Sequence, residues 1–284
     1  METRVRSQTK EVVVRPDRPT VLIGDRINPT GRKRLTTALL ARDMEVLQRE
    51  ALSQVRAGAD ILDVNVGASG VDEVQLLPEV VRAVSTVVNV PLSLDSKNPE
   101  ALRAALEAYQ GKVIVNSVSA EERSLEEVLP LVKEHGAAVV GLTIDDTGIP
   151  AAADGRLAVA SRIIERAAAL GIPSEDVIID CLVMTIATDS AAAQVTLDAI
   201  RMVRESLGNN QTMGASNISH GLPERDALNA VFLALAIQAG VTCPYVNVAR
   251  SRQAVLAADL LMGRDRHAMR YIRAYRQRQS TAPK

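Results

Sequence analysis

The sequence has very few aromatic residues. Phe, Tyr and Trp make up 2% of its 284 residues, with no Trp and a single Phe. Proteins that bind single-stranded nucleic acids stack bases on aromatic side chains, so this composition argues against that class. A formal net charge of −1 and a pI near 6.4 give no overall field that attracts nucleic acid or an anionic membrane. We therefore expect no nucleic-acid and no membrane partner.

Cysteine and long apolar runs are equally scarce. Two cysteines, Cys181 and Cys243, are too few for a disulfide framework or a four-thiolate zinc site, which indicates a reducing compartment. No run of about 18 apolar residues suits a membrane span, and the opening METRVRSQTKEVVVRPDRP has no signal-peptide core. We predict a cytoplasmic location.

Short apolar runs alternate with long helical patterns along the chain, a rhythm typical of parallel strands joined by crossover helices. The helical segments are rich in Ala, Leu, Glu and Arg, with apolar positions three and four apart, as at 100–109, 125–135, 157–170 and 225–238. The apolar runs predict eight strands: Val21–Gly24, Ile61–Asn65, Pro91–Asp95, Val113–Asn116, Ala138–Thr143, Val177–Asp180, Thr212–Gly214 and Tyr245–Asn247.

Eight strand and helix units favour a closed barrel over two smaller domains, which the length alone would also allow. No GxGxxG motif of a dinucleotide-binding sheet follows the first strand. We predict an α/β fold of the (β/α)8 TIM-barrel type, with an N-terminal extension (1–20), the barrel (21–263) and a basic C-terminal helix or tail (264–284). The tail is either a solvated last helix or a docking surface.

Polar side chains end almost every predicted strand, where a barrel of this type has its active site. Asp95, Asn116 and Asp180 each follow three or four apolar residues directly. Any one of them could be a helix N-cap. An unpaired buried carboxylate costs several kcal/mol, so the three together favour a ligand rich in N–H donors. A flat nitrogen heterocycle, such as a pterin or guanine, fits them better than a phosphate, which needs Arg, Lys or backbone N–H groups.

Other chemistries have less support. The three histidines form no HxxxH or HxH pair, so we expect no zinc or iron site; they are His135, His220 and His267. Asp145 and Asp146 are possible Mg²⁺ ligands, but no phosphate motif accompanies them. Nucleophilic catalysis by Cys181 stays open, because its position after a strand suits packing equally well.

Seven segments carry a resemblance to a known family. They are GDRINPTG, ADILDVNVG, PLSLDSKN, VIVNSVSAE, VGLTIDDTGIP, VIIDCL and MGASNISHGLPER. In order and approximate spacing they resemble the loops of pterin-binding methyltransferases: the methyltetrahydrofolate:corrinoid methyltransferases and the folate domain of cobalamin-dependent methionine synthase. Asp25 stands where that family usually has Glu. The resemblance implies a pterin-binding barrel of the dihydropteroate synthase-like type.

The resemblance also implies a set of site residues. Asn217, in GASNIS, would lie beside N5, the methyl-bearing nitrogen, where its amide can accept from protonated N5 or donate to the neutral amine. Gly214 and Ser216 would shape that loop, and Arg225 would be a further polar contact. The implied pterin-binding residues are Asp95, Asn116, Asp180, Gly214, Ser216 and Arg225.

The implied activity is methyl transfer between a corrinoid cobalt and a pterin substrate, tetrahydrofolate or 5-methyltetrahydrofolate. The sequence has no DxHxxG corrinoid-binding pattern and no room for a cobalamin domain, so a separate corrinoid protein would supply the cobalamin. The resemblance implies a homodimer, and it leaves open the direction of transfer and the choice between folate and methanopterin. Two alternatives remain: a dihydropteroate synthase, although SNIS lacks that family's Lys, and a non-catalytic pterin-binding subunit.

Overall fold

A computed structural model describes residues 1–281 and contains the eight predicted parallel strands, preceded by two more. The strands are β1 (Thr3–Arg6), β2 (Glu11–Val14), β3 (Ile23–Ile27), β4 (Ile61–Asn65), β5 (Leu92–Asp95), β6 (Ile114–Ser119), β7 (Ala138–Leu142), β8 (Val177–Asp180), β9 (Gln211–Thr212) and β10 (Tyr245–Val246). The α-helices are α1 (Lys33–Leu40), α2 (Met44–Ala57), α3 (Glu73–Ser85), α4 (Pro99–Ala108), α5 (Glu122–His135), α6 (Ala153–Ala169), α7 (Ala192–Ser206), α8 (Arg225–Ala239), α9 (Val248–Leu261) and α10 (Met269–Thr281). Short 3₁₀ helices span Ser174–Asp176, Ala215–Ser219 and Arg266–Ala268.

Strands β3 to β10 form one parallel sheet in the order β10-β3-β4-β5-β6-β7-β8-β9. Its two outer strands also meet. The Tyr245 N–H donates to the Met213 carbonyl over 2.9 Å, and Gly214 pairs with Tyr245 as a parallel bridge. Side chains on the outside of the strands, such as Leu62 and Leu92, belong to one apolar cluster with the helices. The sheet therefore closes into the predicted (β/α)8 barrel, which is confirmed.

Local sequence signals set the ends of the crossover helices. The Asp43 side chain accepts the Val46 N–H at the start of α2, and Asn98 caps α4 in the same way. Helix α2 ends at Gly58, whose φ of 105° is a conformation that glycine adopts without steric cost. These signals start the helices on the side of the strand carboxyl ends, which we call the barrel mouth.

The N-terminal residues form a hairpin that covers the opposite end of the barrel. The sequence predicts no element in residues 1–20, but β1 and β2 pair antiparallel there. Arg6 pairs with Lys112, and the Asn210 side chain donates to the Val14 carbonyl over 3.0 Å. Hairpin and barrel share a buried apolar cluster that includes Val5, Val12, Val14, Ile23, Ile61, Ile114 and Ile178. The hairpin therefore fills the amino end of the barrel with apolar side chains.

A buried carboxylate ties the C-terminal segment to the first barrel strand. Asp259 of α9 is fully buried and accepts both the N–H and the hydroxyl of Thr20, at 2.9 and 2.8 Å. Arg264 and Arg270 also lie 3.7 and 3.2 Å from its oxygens. The start of the basic segment after Gly263 is thus packed on the barrel through these two arginines, and residues 282–284 of the predicted tail lie outside the described residues. No helix of the described residues is long and apolar enough to cross a membrane.

Candidate active site at the barrel mouth

The two-residue period of the strands places polar side chains in the upper half of the barrel interior. Ile61, Ile114 and Ile178 face inward and belong to the apolar cluster above the hairpin. Because alternate strand residues point to the same side, the next inward positions toward the mouth are Asp63, Asn116 and Asp180. The interior is therefore apolar at the hairpin end and polar at the mouth.

Asp63 lies at the centre of one hydrogen-bonded group. Its Oδ1 accepts the Ser93 hydroxyl over 2.8 Å and the Asn116 amide over 3.3 Å, and Ser93 also bonds the Tyr245 hydroxyl over 2.9 Å. Burial, together with the negative charge of Asp95, raises the pKa of Asp63 well above its usual range. Asp63 thereby fixes the amide of Asn116, one of the predicted pterin-binding residues.

Asp95 adjoins this group on the neighbouring strand. In the sheet register it lies between Asn65 of β4 and Asn116 of β6. Burial raises the pKa of Asp95 to about 6; a hydrogen bond from Asn65 opposes the rise, and the charge of Glu73 adds to it. Asp95 and Asn116, predicted separately from the sequence, are therefore side by side.

Asp180 ends β8 and is 8% exposed. Its Oδ1 accepts the Leu182 N–H over 2.8 Å. Burial raises the pKa of Asp180 to about 7, although that hydrogen bond and the positive charge of Arg156 oppose the rise. The Arg156 guanidinium donates to the carbonyls of Cys181 and Leu182, both at 2.8 Å, so it fixes the loop that follows Asp180.

The alternative that these residues are helix caps does not hold. Asn98, Glu121 and Ala191 occupy the N-cap positions of the helices that follow β5, β6 and β8. Capping thus leaves Asp95 and Asn116 unexplained, and within residues 1–281 the Asp180 side chain accepts a hydrogen bond only from the backbone of its own loop. These three polar groups remain available to a ligand.

Asn217 lies on the 3₁₀ helix after β9, with its side chain exposed at the mouth. Arg225 holds this turn, because its guanidinium donates to the Ser216 carbonyl over 2.7 Å and to the Ser219 hydroxyl over 3.0 Å. A Cβ added at Gly214 would lie 3.1 Å from the Asn217 amide nitrogen, which is tighter than ordinary contact. Gly214 therefore leaves space for the Asn217 side chain, while Arg225 positions it from outside.

A cavity of about 610 Å³ opens beside Asn217. Its lining includes Asp25, Ser216, Arg225 and Asn247, but not Asp95, Asn116 or Asp180. The predicted residues therefore form two neighbouring parts of the mouth: an interior part on β5, β6 and β8, and a rim part around Asn217.

The comparisons with known proteins agree with this architecture. The pterin binding enzyme family model matches residues 24–247, which includes every barrel strand except the first residue of β3. The chain belongs to the pterin binding enzyme family. Its fold is also similar to a Yersinia pestis DHPS bound to a pterine-sulfa conjugate, with a TM-score of 0.68 at 17% identity over 93% of this chain and 100% of that one.

Methyltransferases are among the relatives of this pterin binding enzyme. It is 36% identical over 82% of its length to a methionine synthase from Mycobacterium leprae, and 29% identical over 90% of its length to a methylcorrinoid:tetrahydrofolate methyltransferase from Eubacterium limosum. It spans 20% of the synthase but 96% of the Eubacterium limosum protein. The chain thus corresponds to about a fifth of the methionine synthase and to nearly the whole of the second relative.

Two further strand-end carboxylates, Asp63 and Asp25, lie at the mouth but outside the predicted set of site residues. Asp63 lies two positions before Asn65, so the strand period alone would have placed it inside the barrel. Asp25 has a buried oxygen without a hydrogen-bond partner among the described residues, 3.6 Å from the Arg32 guanidinium. Burial raises the pKa of Asp25, while Arg32 and Arg26 oppose the rise.

The environment of Cys181 argues against the nucleophilic role that the sequence leaves open. Both cysteines are free and buried, and burial raises the pKa of the Cys181 thiol strongly, which disfavours the nucleophilic thiolate. The Cys181 thiol donates a hydrogen bond to the Gln211 side-chain oxygen over 3.5 Å, which suits a protonated, structural cysteine. Among residues 1–281, no group of three or more His, Cys, Asp or Glu side chains is arranged to hold a metal ion.

Proposed function

We propose that this protein transfers a methyl group between N5 of (methyl)tetrahydrofolate and the cobalt of a separate corrinoid protein. The observation that carries the proposal is the polar layer at the barrel mouth, where Asp95, Asn116 and Asp180 face the interior and Asn217 stands at the rim. Similarity to a methylcorrinoid:tetrahydrofolate methyltransferase over 96% of that relative supports the choice of reaction.

The interior carboxylates suit the donor edge of a pterin ring. The ring presents an exocyclic amino group and a ring N–H, which one carboxylate accepts as a pair, and a carbonyl that an amide such as Asn116 reads. Asp180 is ionised above its pKa of about 7 and then has an oxygen free to accept, since among the described residues only the Leu182 N–H donates a hydrogen bond to it. Asp95 and Asp180 would therefore orient the ring. The Asn116 amide, held in place by Asp63, would fix the position of the ring carbonyl.

The methyl transfer step depends on the protonation state of N5. The N5–methyl bond breaks with both electrons left on N5, so a proton or a hydrogen bond at N5 lowers the barrier; the reverse direction needs that proton removed. The corrinoid, held by its own protein, supplies a cobalt that accepts or donates the methyl group. Asn217 would hydrogen-bond N5 in either protonation state, and the surrounding carboxylates favour positive charge there.

The exposed position of Asn217 suits a reaction with a large partner. The side chain is exposed at the rim, where a corrinoid protein docked over the mouth would bring its cofactor. A homodimer is also part of the proposal, and the exposed apolar residues of α8, Leu228, Val231 and Leu235, recur at helical spacing as its candidate contact. The cytoplasm remains the predicted location.

A direct assay tests the reaction. The protein is mixed with 5-methyltetrahydrofolate and Co(I) cobalamin, and the absorbance change of methyl-cobalt formation is followed. Titration calorimetry with tetrahydrofolate then tests the site: Asp95→Ala and Asp180→Ala should each weaken binding severely, whereas Glu205→Ala, which removes an exposed carboxylate near the end of α7 and away from the mouth, should not. Binding without turnover, with Co(I) cobalamin and with corrinoid protein alike, would instead identify a non-catalytic pterin-binding subunit.

A further inference from the structure

A basic groove lies next to the rim of the barrel mouth. It has a volume of about 460 Å³ between α1 and the first half of α2, and its lining holds five cationic side chains and one carboxylate, Glu50. The cations are Arg26, Arg32, Lys33, Arg34 and Arg49. The whole chain has a net charge of −1, so this concentration of positive charge is local. We call it the basic groove.

Nearby carboxylates compensate these charges only in part: the Arg49 guanidinium pairs with Glu45 over 3.3 Å, whereas the other cations have no ion pair as short among the described residues. The Arg26 guanidinium lies 3.8 Å from Glu50, and the Arg32 guanidinium lies 3.6 Å from Asp25, both longer than a hydrogen bond. Within the part of the chain that the structure describes, Lys33 and Arg34 form no ion pair, and both are exposed. The positive charge of Arg26 lowers the pKa of Arg32 further, after the effect of burial. The groove therefore carries uncompensated positive charge that an anionic ligand could bind.

The groove is continuous with the candidate active site. Arg26 and Arg32 line both the basic groove and the cavity beside Asn217. Arg32 is fixed at this junction, because its guanidinium donates to the backbone carbonyls of Asp25 and Arg26. A substituent leaving a ring held at the mouth would thus pass these two arginines before it reaches Lys33 and Arg34.

We propose that the basic groove binds the oligoglutamate tail of the pterin substrate, which rests on the function proposed above. Each γ-linked glutamate added to a folate brings one more carboxylate, and successive carboxylates match a row of cations better than a single phosphate does. Leu35 and Val46 on the groove wall offer an apolar surface to the methylene groups between the carboxylates. The groove thereby selects polyanionic pterin conjugates.

Titration calorimetry with monoglutamyl and pentaglutamyl 5-methyltetrahydrofolate tests this inference through the ratio of their dissociation constants. We expect the pentaglutamyl form to bind the wild type about tenfold more tightly at low salt, as a few exposed ion pairs would give, and the ratio to shrink at high salt. The double variant Lys33→Gln/Arg34→Gln should bring the ratio close to one. The control Lys10→Gln/Arg18→Gln removes two cations from the hairpin end and should leave the ratio unchanged.

Three results overturn the inference. Equal wild-type affinities for the two forms would show that the groove does not hold the tail, and an unchanged ratio in Lys33→Gln/Arg34→Gln would place the tail elsewhere. If this variant keeps the ratio but slows transfer to the corrinoid protein, the groove is a docking surface for that protein instead. If the wild type binds neither the monoglutamyl nor the pentaglutamyl form, the proposed function itself fails, and this outcome is distinct from a failure of the tail site alone.

Discussion

Replacing Asp180 with Asn should stabilise the ligand-free protein at high pH. Burial raises the pKa of Asp180 from its ordinary 3.8 to about 7, so the folded protein resists the ionised form. Below pH 3.8 Asp180 is protonated in the folded and the unfolded protein, so its raised pKa does not change the free energy of unfolding. Between pH 3.8 and about 7 the raised pKa lowers the free energy of unfolding by about 1.4 kcal/mol per pH unit, and above about 7 this loss stays constant. The raised pKa of Asp180 therefore lowers the free energy of unfolding by about 4 kcal/mol at pH 8, where the side chain is ionised in the folded protein. At pH 5 it lowers it by about 2 kcal/mol, because the side chain is ionised in the unfolded chain but protonated in the folded one.

The Asn side chain recovers part of this free energy. Its oxygen can accept the Leu182 N–H as Asp180 does, but no hydrogen bond among the described residues supplies its amide nitrogen with an acceptor, which costs about 1–3 kcal/mol. The net expectation is that Asp180→Asn is more stable than the wild type by about 2 kcal/mol at pH 8 and nearly equal to it at pH 5. The same change should abolish tetrahydrofolate binding, since an amide donor would face the donor edge of the ring.

Urea denaturation of ligand-free wild type and variant at pH 5 and pH 8 measures this difference. The other buried carboxylates titrate in both proteins, so their effect largely cancels in the comparison. Asp146→Asn is the matched control, because Asp146 is exposed and its loss should change stability by the same small amount at both pH values. A variant less stable than the wild type at pH 8, or a difference independent of pH, would refute the reasoning.

Four further predictions concern the mouth and the hairpin. Tetrahydrofolate affinity should fall roughly a hundredfold between pH 8 and pH 5.5, because Asp180 with a pKa of about 7 and Asp95 with a pKa of about 6 both become protonated and each loses an acceptor; calorimetry at both pH values checks this, and a flat profile contradicts it. Asn217→Ala should slow methyl transfer to Co(I) by roughly 100-fold with little change in binding, as stopped-flow absorbance would show; a wild-type rate would exclude its role at N5. Gly214→Ala should displace the Asn217 amide and slow the same step about tenfold without loss of binding, and an unchanged rate would mean that the 3.1 Å contact is relieved elsewhere. Gly111→Ala should lower the unfolding free energy by about 1–3 kcal/mol, since its Cβ would overlap the Arg6 carbonyl under the hairpin; equal urea midpoints would show that the hairpin adjusts at no cost.

The periodic parts of the fold could be predicted from sequence, and the aperiodic parts could not. Apolar runs such as those at β4, β7 and β8 were predicted within a residue, because buried parallel strands have continuous apolar sequences. Strand β3 continues to Ile27, beyond the predicted end at Gly24, because Asp25 and Arg26 have the composition of a loop. The N-terminal hairpin was missed because its strands are only four residues long, TRVR and EVVV, which is too short for a two-residue period to stand out.

The candidate site was predictable where a polar residue interrupts an apolar run. Asp95 and Asn116 stood out for this reason, and the register of β5 and β6 places them side by side. Asp63 is also a polar residue near the end of an apolar strand, but its place in the barrel interior follows only from the two-residue period of the strand. The role of Arg225 as a support of the Asn217 turn depends on backbone carbonyl contacts, which no residue pattern encodes.

The hairpin at the amino end has a kinetic consequence for the proposed reaction. Because apolar side chains fill that end, the pterin and the corrinoid protein would both have to reach the site through the barrel mouth. The pterin then has to enter before the corrinoid protein arrives and can depart only after it has gone. Turnover should accordingly follow a compulsory order, and excess corrinoid protein should inhibit it by trapping the spent pterin inside.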